Sequence, residues 1–390
     1  MNILFLLRGT AIGGLEVVTQ YLAYKFIEEG HHVGIFVFRT DPGASIIDRL
    51  DKRIKVYQQN DYSVSKSNVN NLRTVLIDEG VDVIINQWGL PLTPIRVTRS
   101  AARGLKVKII SVYHNAPNAN GRIIGLTNKL ALTQNPIKRC ILRCMRLAFR
   151  LVTGIAMRYI YRQSDCFLVL SECYKKNFQD FIYLHNTSKL RCLTNPVTID
   201  QNGFYYDAKQ KRKEIIFVGR LDRIQKRVYR VINTWNLMEE RHPEWGLTII
   251  GDGPDRPNLE AHVSALNLKH VQFKGFQNPL EYYKRASILI LTSEFEGFPL
   301  VLAEAMCFGT VPVVFDSFAA IRDIIDNGKN GVIVPKVFGE FSDEQMVKGV
   351  EVAIADCEHH HAIAEEAIKK SMEYSLDEIY GKWMKLFEEI

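Results

Sequence analysis

Two glutamates, Glu296 and Glu304, enclose the run Gly297-Phe298-Pro299-Leu300-Val301-Leu302-Ala303. Pro299 suits the first turn of a helix, where its missing N–H is not needed. The amides behind it would then be free to hold an anion at the helix N-terminus, which makes Gly297, Phe298, Pro299, Leu300 and Val301 candidate ligand contacts. Glu304 lies more than one turn inside an otherwise apolar helix, and a buried carboxylate needs donors. The two vicinal hydroxyls of a ribose could supply them; the protein's own backbone is the alternative.

A second constellation is Phe217-Val218-Gly219-Arg220, followed by Lys226. An Arg and a Lys converging at the end of a strand would stabilise the charge that develops on a departing diphosphate; a solvated basic turn shared with Arg223 and Arg227 is the plainer alternative. A third is Arg8-Gly9-Thr10-Ala11-Ile12-Gly13-Gly14, where glycines let backbone amides approach a ligand just ahead of a helix. It is not a GxGxxG fingerprint, and a turn needed only for packing explains it about as well. Asp252-Gly253-Pro254-Asp255 reads as a glycine turn rather than a metal site, and no His or Cys cluster has ligand spacing. No metal or other cofactor is expected.

The elements that must position these groups are legible from short apolar runs alternating with stretches of helical period, the signature of parallel α/β folds. In the first half, strands are expected at 3–7, 33–38, 81–85, 107–113 and 166–170, with helices at 16–29 and 70–79. A charged stretch, Asp207 to Glu214, breaks the pattern, which restarts with strands at 215–218, 247–250, 271–273, 288–291 and 311–314. Two doubly wound sheets are implied, and such sheets bind ligands at the carboxyl ends of their strands, so a cleft between two domains is the expected site. The domains are placed at 1–200 and 201–372, with a final helix, 373–390, bearing Ile379, Trp383, Leu386 and Phe387 on one face. That face must be covered.

With 390 residues, the chain exceeds the size at which one core usually stops growing. Residues 1–197 hold 27 Lys and Arg against 13 Asp and Glu, and the rest 23 against 30. A basic half beside an acidic one suggests that the first domain meets something anionic. The seven cysteines form no CxxC pair and read as reduced thiols. No run approaches the ~20 apolar residues of a membrane span, and the start is too short for a signal peptide. A cytoplasmic protein is expected, peripheral on the plasma membrane if the basic half binds lipid.

Together, E-G-F-P-L-V-L-A-E-A-M at 296–306, G-R with a following lysine, I-G-D-G-P at 250–254 and the Gly13-Gly14 pair with Glu16 resemble the retaining glycosyltransferases of GT-B fold, family 4. The resemblance covers nearly the whole chain and is most specific in the second half. It implies that Arg220 and Lys226 hold the donor diphosphate, that Glu304 binds ribose and that Glu296 meets the donor sugar. It implies that Gly13 and Gly14 approach the distal phosphate and that His114 contacts the transferred sugar. Gly219, Gly251, Gly253 and Phe276 fall at donor-side positions. The family often has glycine after the lysine; here Arg227 stands there. The reaction implied by the resemblance is metal-independent transfer, with retention, from a nucleotide sugar to a glycan or lipid-linked acceptor of the kind used in bacterial surface polysaccharides. UDP is the commonest donor nucleotide in that family.

Between Pro136 and Arg162 there is no acidic residue, while Arg139, Arg143, Arg146 and Arg150 recur at helical spacing opposite Leu142, Met145, Phe149, Val152, Ala156 and Tyr159. Such a helix could lie on an anionic membrane, or dock on the core with its arginines in water. Two other functions remain open at this point. A nucleotide-sugar epimerase of the same fold would convert its substrate without an acceptor, and a non-catalytic membrane or nucleic-acid binder would be indifferent to loss of Glu304 or Lys226. Nucleic acid is not the expected partner, because the aromatic and basic interleaving of single-strand binders is missing.

Overall fold

Runs of aliphatic and β-branched residues form two wholly parallel sheets in the computed structural model, which describes residues 1–59, 61–201 and 203–390. The first sheet contains β1 (Asn2–Leu7), β2 (His32–Val37), β3 (Lys55–Gln58), β4 (Val83–Asn86), β5 (Lys108–Tyr113), β6 (Cys166–Val169) and β7 (Leu190–Cys192). Its order is β3-β2-β1-β4-β5-β6-β7. The second contains β8 (Arg212–Val218), β9 (Gly246–Ile250), β10 (Val271–Gly275), β11 (Ala286–Leu291), β12 (Val311–Phe315) and β13 (Val332–Val334), ordered β10-β9-β8-β11-β12-β13. Both are doubly wound, and the strand order reverses between β1 and β4 in one and between β8 and β11 in the other. Those reversals are where sheets of this kind receive ligands.

Backbone contacts divide the chain into two units, residues 1–198 with 376–390, and residues 199–375. In the first, the helix Gly14–Glu28 buries Val18, Leu22 and Phe26. The final helix, Leu376–Glu389, lies in this unit. Its apolar face is covered by Phe26, whose ring lies 5.6 Å from Tyr380, 6.4 Å from Trp383 and 5.8 Å from Phe387. Lys25 fixes the helix start through Asp377 at 2.6 Å. The helix expected at 70–79 begins earlier, at Lys66, because the Ser65 hydroxyl caps it by accepting from the Asn68 amide.

The basic helix, Pro136–Gln163, departs from the simpler expectation. Its fully buried residues, Gly154, Met157, Ile160 and Tyr161, all lie in its last third, and no residue between Pro136 and Thr153 is buried. The expected apolar row is split: Leu142, Phe149 and Ala156 are half-buried, whereas Met145, Val152 and Tyr159 are exposed to solvent. No helix of the described residues is long and apolar enough to cross a membrane.

In the second unit, the charged stretch Asp207–Glu214 is a connector only in part. Its last three residues already belong to β8, and Glu214 is buried, accepting from Thr248 at 2.7 Å and from Arg285 at 2.8 Å. The Lys211 ammonium donates to the carbonyls of Tyr283 and Ala286 and to the Thr310 hydroxyl. Of the charges that break the apolar pattern in sequence, Lys211 and Glu214 are thus consumed inside the fold, while Lys209, Arg212 and Lys213 are exposed.

Candidate functional site

The turn after β8 carries the first group of candidates, and its shape is set by close backbone packing. Gly219 donates its amide to the Ile250 carbonyl, and Leu221 donates to Asp252. A Cβ on Gly251 would sit 1.9 Å from the Gly219 carbonyl oxygen, and one on Gly253 would sit 2.4 Å from that of Leu221. Gly251, with φ +141, and Gly253 therefore act through the backbone, by letting the loop that carries Arg220 lie against the end of β9.

Asp222 then organises the loop, its carboxylate accepting from the amides of Ile224 and Gln225. The chain emerges at Lys226 and enters the helix Val228–Met238 through Arg227, which takes the left-handed backbone conformation at φ +49. Glycine would meet no steric cost there, and arginine does. The Arg227 guanidinium compensates by pairing with Glu294 at 3.2 Å.

Lys226 and Glu296 are brought into direct contact, Nζ to Oε1 at 2.6 Å, with both side chains largely buried. They lie at the reversal between β8 and β11, since Glu296 follows the end of β11 and Lys226 comes just ahead of the helix after β8. Gly219 lies beneath Lys226: a Cβ there would stand 3.6 Å from Lys226 Nζ. Sequence reasoning missed Gln225, whose side-chain amide donates to Glu296 Oε2 at 3.1 Å and to the Phe295 carbonyl. Its place in the loop between Arg220 and Lys226 was the available signal. Arg220 is mostly exposed and forms an ion pair with Asp222 at 3.2 Å. Phe276 follows β10 and is exposed at the same carboxyl edge, 76% accessible.

The helix expected to open on Pro299 begins one residue later, at Leu300, and ends at Met306. Pro299 is thus its cap, not its first residue. Two nearby amides are already engaged, Leu300 donating to the Phe298 carbonyl and Leu302 to that of Pro299, which reduces the donors this short helix end presents. Gly297, Phe298 and Pro299 are buried, and the Phe298 ring packs 5.2 Å from Tyr374. Leu300 and Val301 are half-buried. Glu304 is buried and accepts from the Tyr283 hydroxyl at 3.2 Å. Desolvation, reinforced by the Glu304 charge, raises the Tyr283 phenol well above its ordinary range, so it stays a donor.

Glu294 holds two arginines. Besides Arg227, it pairs at 3.1 Å with Arg230, which is buried against the rings of Phe315 and Phe341 and donates to the Thr292 carbonyl. Removing a partner from a buried charge costs more than the pair itself contributes. Glu294→Ala should therefore lower unfolding stability by about 1–3 kcal/mol, reduced from the fully buried case by the partial exposure of the carboxylate. Urea titration followed by tryptophan fluorescence measures this, and a change inside about ±0.5 kcal/mol would show that Arg230 is held by its other partners.

The first unit offers a second group at the carboxyl ends of its strands. Thr10 and Ala11 donate their amides to Asp41, while the Glu16 carboxylate takes the Gly13 amide and its own. Burial raises the Glu16 carboxyl, opposed by those amides and aided by the Asp41 charge. The space above Gly14 is open, with nothing within 4 Å of where a Cβ would sit. His114, after β5, lies 2.7 Å from Gln87 Oε1, after β4. Desolvation pushes its imidazole far below the ordinary histidine value, so it is neutral, with Nε2–H donating to Gln87 and Nδ1 left as an acceptor. Gln87 Nε2, Trp88 Nε1, Arg8 Nε, Ser171 Oγ and Thr194 Oγ1 are buried without a protein partner. All five follow the ends of β1, β4, β6 or β7, so this sheet edge carries polar groups suited to a hydroxyl-rich ligand. Apart from Arg8, which opens the glycine-rich turn, none of them stands out in the sequence.

Comparison with known proteins matches each half separately. Residues 12–201 match the family described as Glycosyltransferase Family 4, and residues 199–370 match Glycosyl transferases group 1. The chain is 25% identical over 386 residues to an uncharacterized glycosyltransferase of Haemophilus influenzae, covering 97% of each. It is 25% identical over 234 residues to the GalNAc-alpha-(1->4)-GalNAc-alpha-(1->3)-diNAcBac-PP-undecaprenol alpha-1,4-N-acetyl-D-galactosaminyltransferase of Campylobacter jejuni, covering 60% of this chain and 62% of that enzyme. In fold it is similar to Anabaena HepE, solved in complex with UDP, with a TM-score of 0.76, 14% identity and full coverage of both chains.

Proposed function

Because the chain belongs to the GT-B glycosyltransferases, family 4 in its first half and group 1 in its second, we propose that it moves a sugar from a UDP-sugar to a hydroxyl of a glycan or lipid-linked glycan, with retention and without a metal ion. The observation that carries this reading is the Lys226–Glu296 pair, its lysine over Gly219, at the strand-order reversal. An ammonium held there by a carboxylate is preorganised for the diphosphate charge that grows as the glycosidic bond breaks. Arg220, on the same loop and largely exposed, can leave Asp222 to join it. Glu296 then meets sugar hydroxyls, and Glu304, with one oxygen already served by Tyr283, takes those of the ribose. Phe276, exposed at the carboxyl edge, would cover the base. In the first unit, Gly13 and Gly14 would meet the distal phosphate, with Glu16 yielding its amides, and the acceptor nitrogen of neutral His114 would receive a sugar hydroxyl.

Retention results if the acceptor attacks from the face the diphosphate leaves, the departing phosphate oxygen taking its proton. No protein nucleophile is needed. The UDP bound to Anabaena HepE and the lipid-linked acceptor in the name of the Campylobacter enzyme support the choice of substrates. The unpartnered polar groups on the first sheet favour a second substrate, hence transfer over epimerisation.

A thermal-shift screen of UDP-, GDP- and ADP-sugars tests the donor, since a ligand at about 100 times its Kd stabilises by about 2.7 kcal/mol. The expected result is a rise with the UDP series that exceeds the others. Proton NMR of the product with a matched acceptor should show the anomeric configuration of the donor. An inverted anomer would end the front-face mechanism, and conversion of a nucleotide sugar without acceptor would favour the epimerase.

A further inference from the structure

The helix Pro136–Gln163 exposes a side that a soluble helix normally hides. Ile137, Ile141, Met145, Val152, Ile155 and Tyr159 are between 38% and 71% accessible. At 3.6 residues per turn they fall within about 80° of arc on one face, opposite the Gly154, Met157 and Ile160 contacts that dock the helix on its unit. Leu132, at the end of the preceding helix Gly121–Leu132, is 84% accessible. The two helices form a hairpin, tied by the Arg139 guanidinium on the Thr133 carbonyl and by Arg122 over the Phe149 ring.

The charge around this face is of one sign. Between Asp82 and Asp165 the chain contains no Asp or Glu. Lys138 borders the apolar stripe on one side, and exposed Leu147 and Leu151 widen it on the other towards Arg143; both cations are exposed. An occupant must therefore be apolar at its centre and anionic at its rim. A second copy of this face would meet the stripe but set cation against cation. An anionic bilayer meets both conditions, with acyl chains beneath the stripe and phosphates at the height of the helix flanks.

We propose that the hairpin Gly121–Gln163 docks this protein on anionic phospholipid membranes by inserting the outward apolar stripe of Pro136–Gln163, with Lys138 and Arg143 on the lipid phosphates. The proposal does not rest on the transferase reading, because none of these residues belongs to the site described above. Docking of this kind lies along the surface, since the helix is too polar to span the bilayer.

Flotation with vesicles of phosphatidylcholine, alone or mixed with phosphatidylglycerol, tests it. The full chain should float with the mixed vesicles, bind the neutral ones at least about tenfold more weakly, and be released by salt. Ile141→Glu/Val152→Glu should lose vesicle binding while keeping its far-UV circular dichroism and thermal midpoint, since both residues are more than half exposed. Lys138→Glu/Arg143→Glu should weaken binding to the mixed vesicles on the order of tenfold or more. A tryptophan placed by Val152→Trp should shift to the blue and be quenched by brominated acyl chains. Equal retention on both vesicle types, an unquenched reporter, or a concentration-dependent dimer in sedimentation that Ile141→Glu/Val152→Glu dissolves would each overturn the assignment, the last in favour of a second copy. Activity of these variants on a water-soluble acceptor reports on the transferase reading separately.

Discussion

Lys226→Ala is expected to lower kcat by about 10²–10³, the usual loss when one preorganised donor to a developing anion is removed. The ammonium is held by Glu296 at 2.6 Å, so it needs no reorganisation as the diphosphate departs. Its effect should fall on kcat and kcat/KM together, because the charge it answers is larger in the transition state than in the bound donor. Glu296, which is buried, loses its counter-charge in that variant, and the thermal midpoint should fall as well. Lys226→Arg separates the two consequences: it restores the charge but places a planar fork where a point charge fitted. Steady-state kinetics with a matched donor and acceptor decide the matter. If kcat for Lys226→Ala stays within about threefold of the parent, the ion pair is structural and the diphosphate is stabilised elsewhere.

The second large effect concerns backbone rather than charge. Gly251→Ala should cost about 2–5 kcal/mol of stability, combining a strained conformation with steric overlap. The overlap is with the Gly219 carbonyl, 1.9 Å from the new Cβ, and neither partner is a flexible side-chain tip that could swing away. Relief requires the loop after β8 to lift from the end of β9, carrying Arg220 with it and removing the cradle beneath Lys226. Donor binding should weaken in parallel, visible as a smaller thermal shift with UDP. Gly14→Ala is the matched control for glycine replacement, because the space above Gly14 is open and its stability should change by less than about 1 kcal/mol. A Gly251→Ala protein with parental stability and UDP response would show that this loop relaxes freely.

The central strands were legible because strands buried on both faces read as unbroken aliphatic runs. β1, β11 and β12 are close to that kind, as are β5 after Lys108 and β8 from Ile215 on. The strands that escaped notice, β3, β7 and β13, all lie at sheet edges, are three or four residues long, and mix apolar with polar or half-exposed positions. At the candidate site, Glu296 and Lys226 could be named from residue type and motif, but not their contact. A distance between residues seventy apart is set by which strands are neighbours, and single-sequence periodicity does not carry strand order. Gln225 and Gln87 were passed over for another reason: amide side chains are common in loops, and only the bond to Glu296 or His114 distinguishes them. The arginines of Pro136–Gln163 were seen correctly as a row, whereas the direction the opposite row faces depends on where four residues near Gly154 dock.

The placement of Leu376–Glu389 on Phe26 bears on how the polypeptide matures. The first unit contains residues from both sides of the second, so it cannot complete its packing on the ribosome until the segment after Ser375 has been translated. Until then the surface around Phe26 stays uncovered while residues 199–375 fold as an uninterrupted stretch, which reverses the customary amino-to-carboxyl order of domain completion. Fragments cut at the junction near 198 would thus expose the sticky patch that Trp383 normally seals, and separate production of the leading unit requires grafting that terminal helix back onto it.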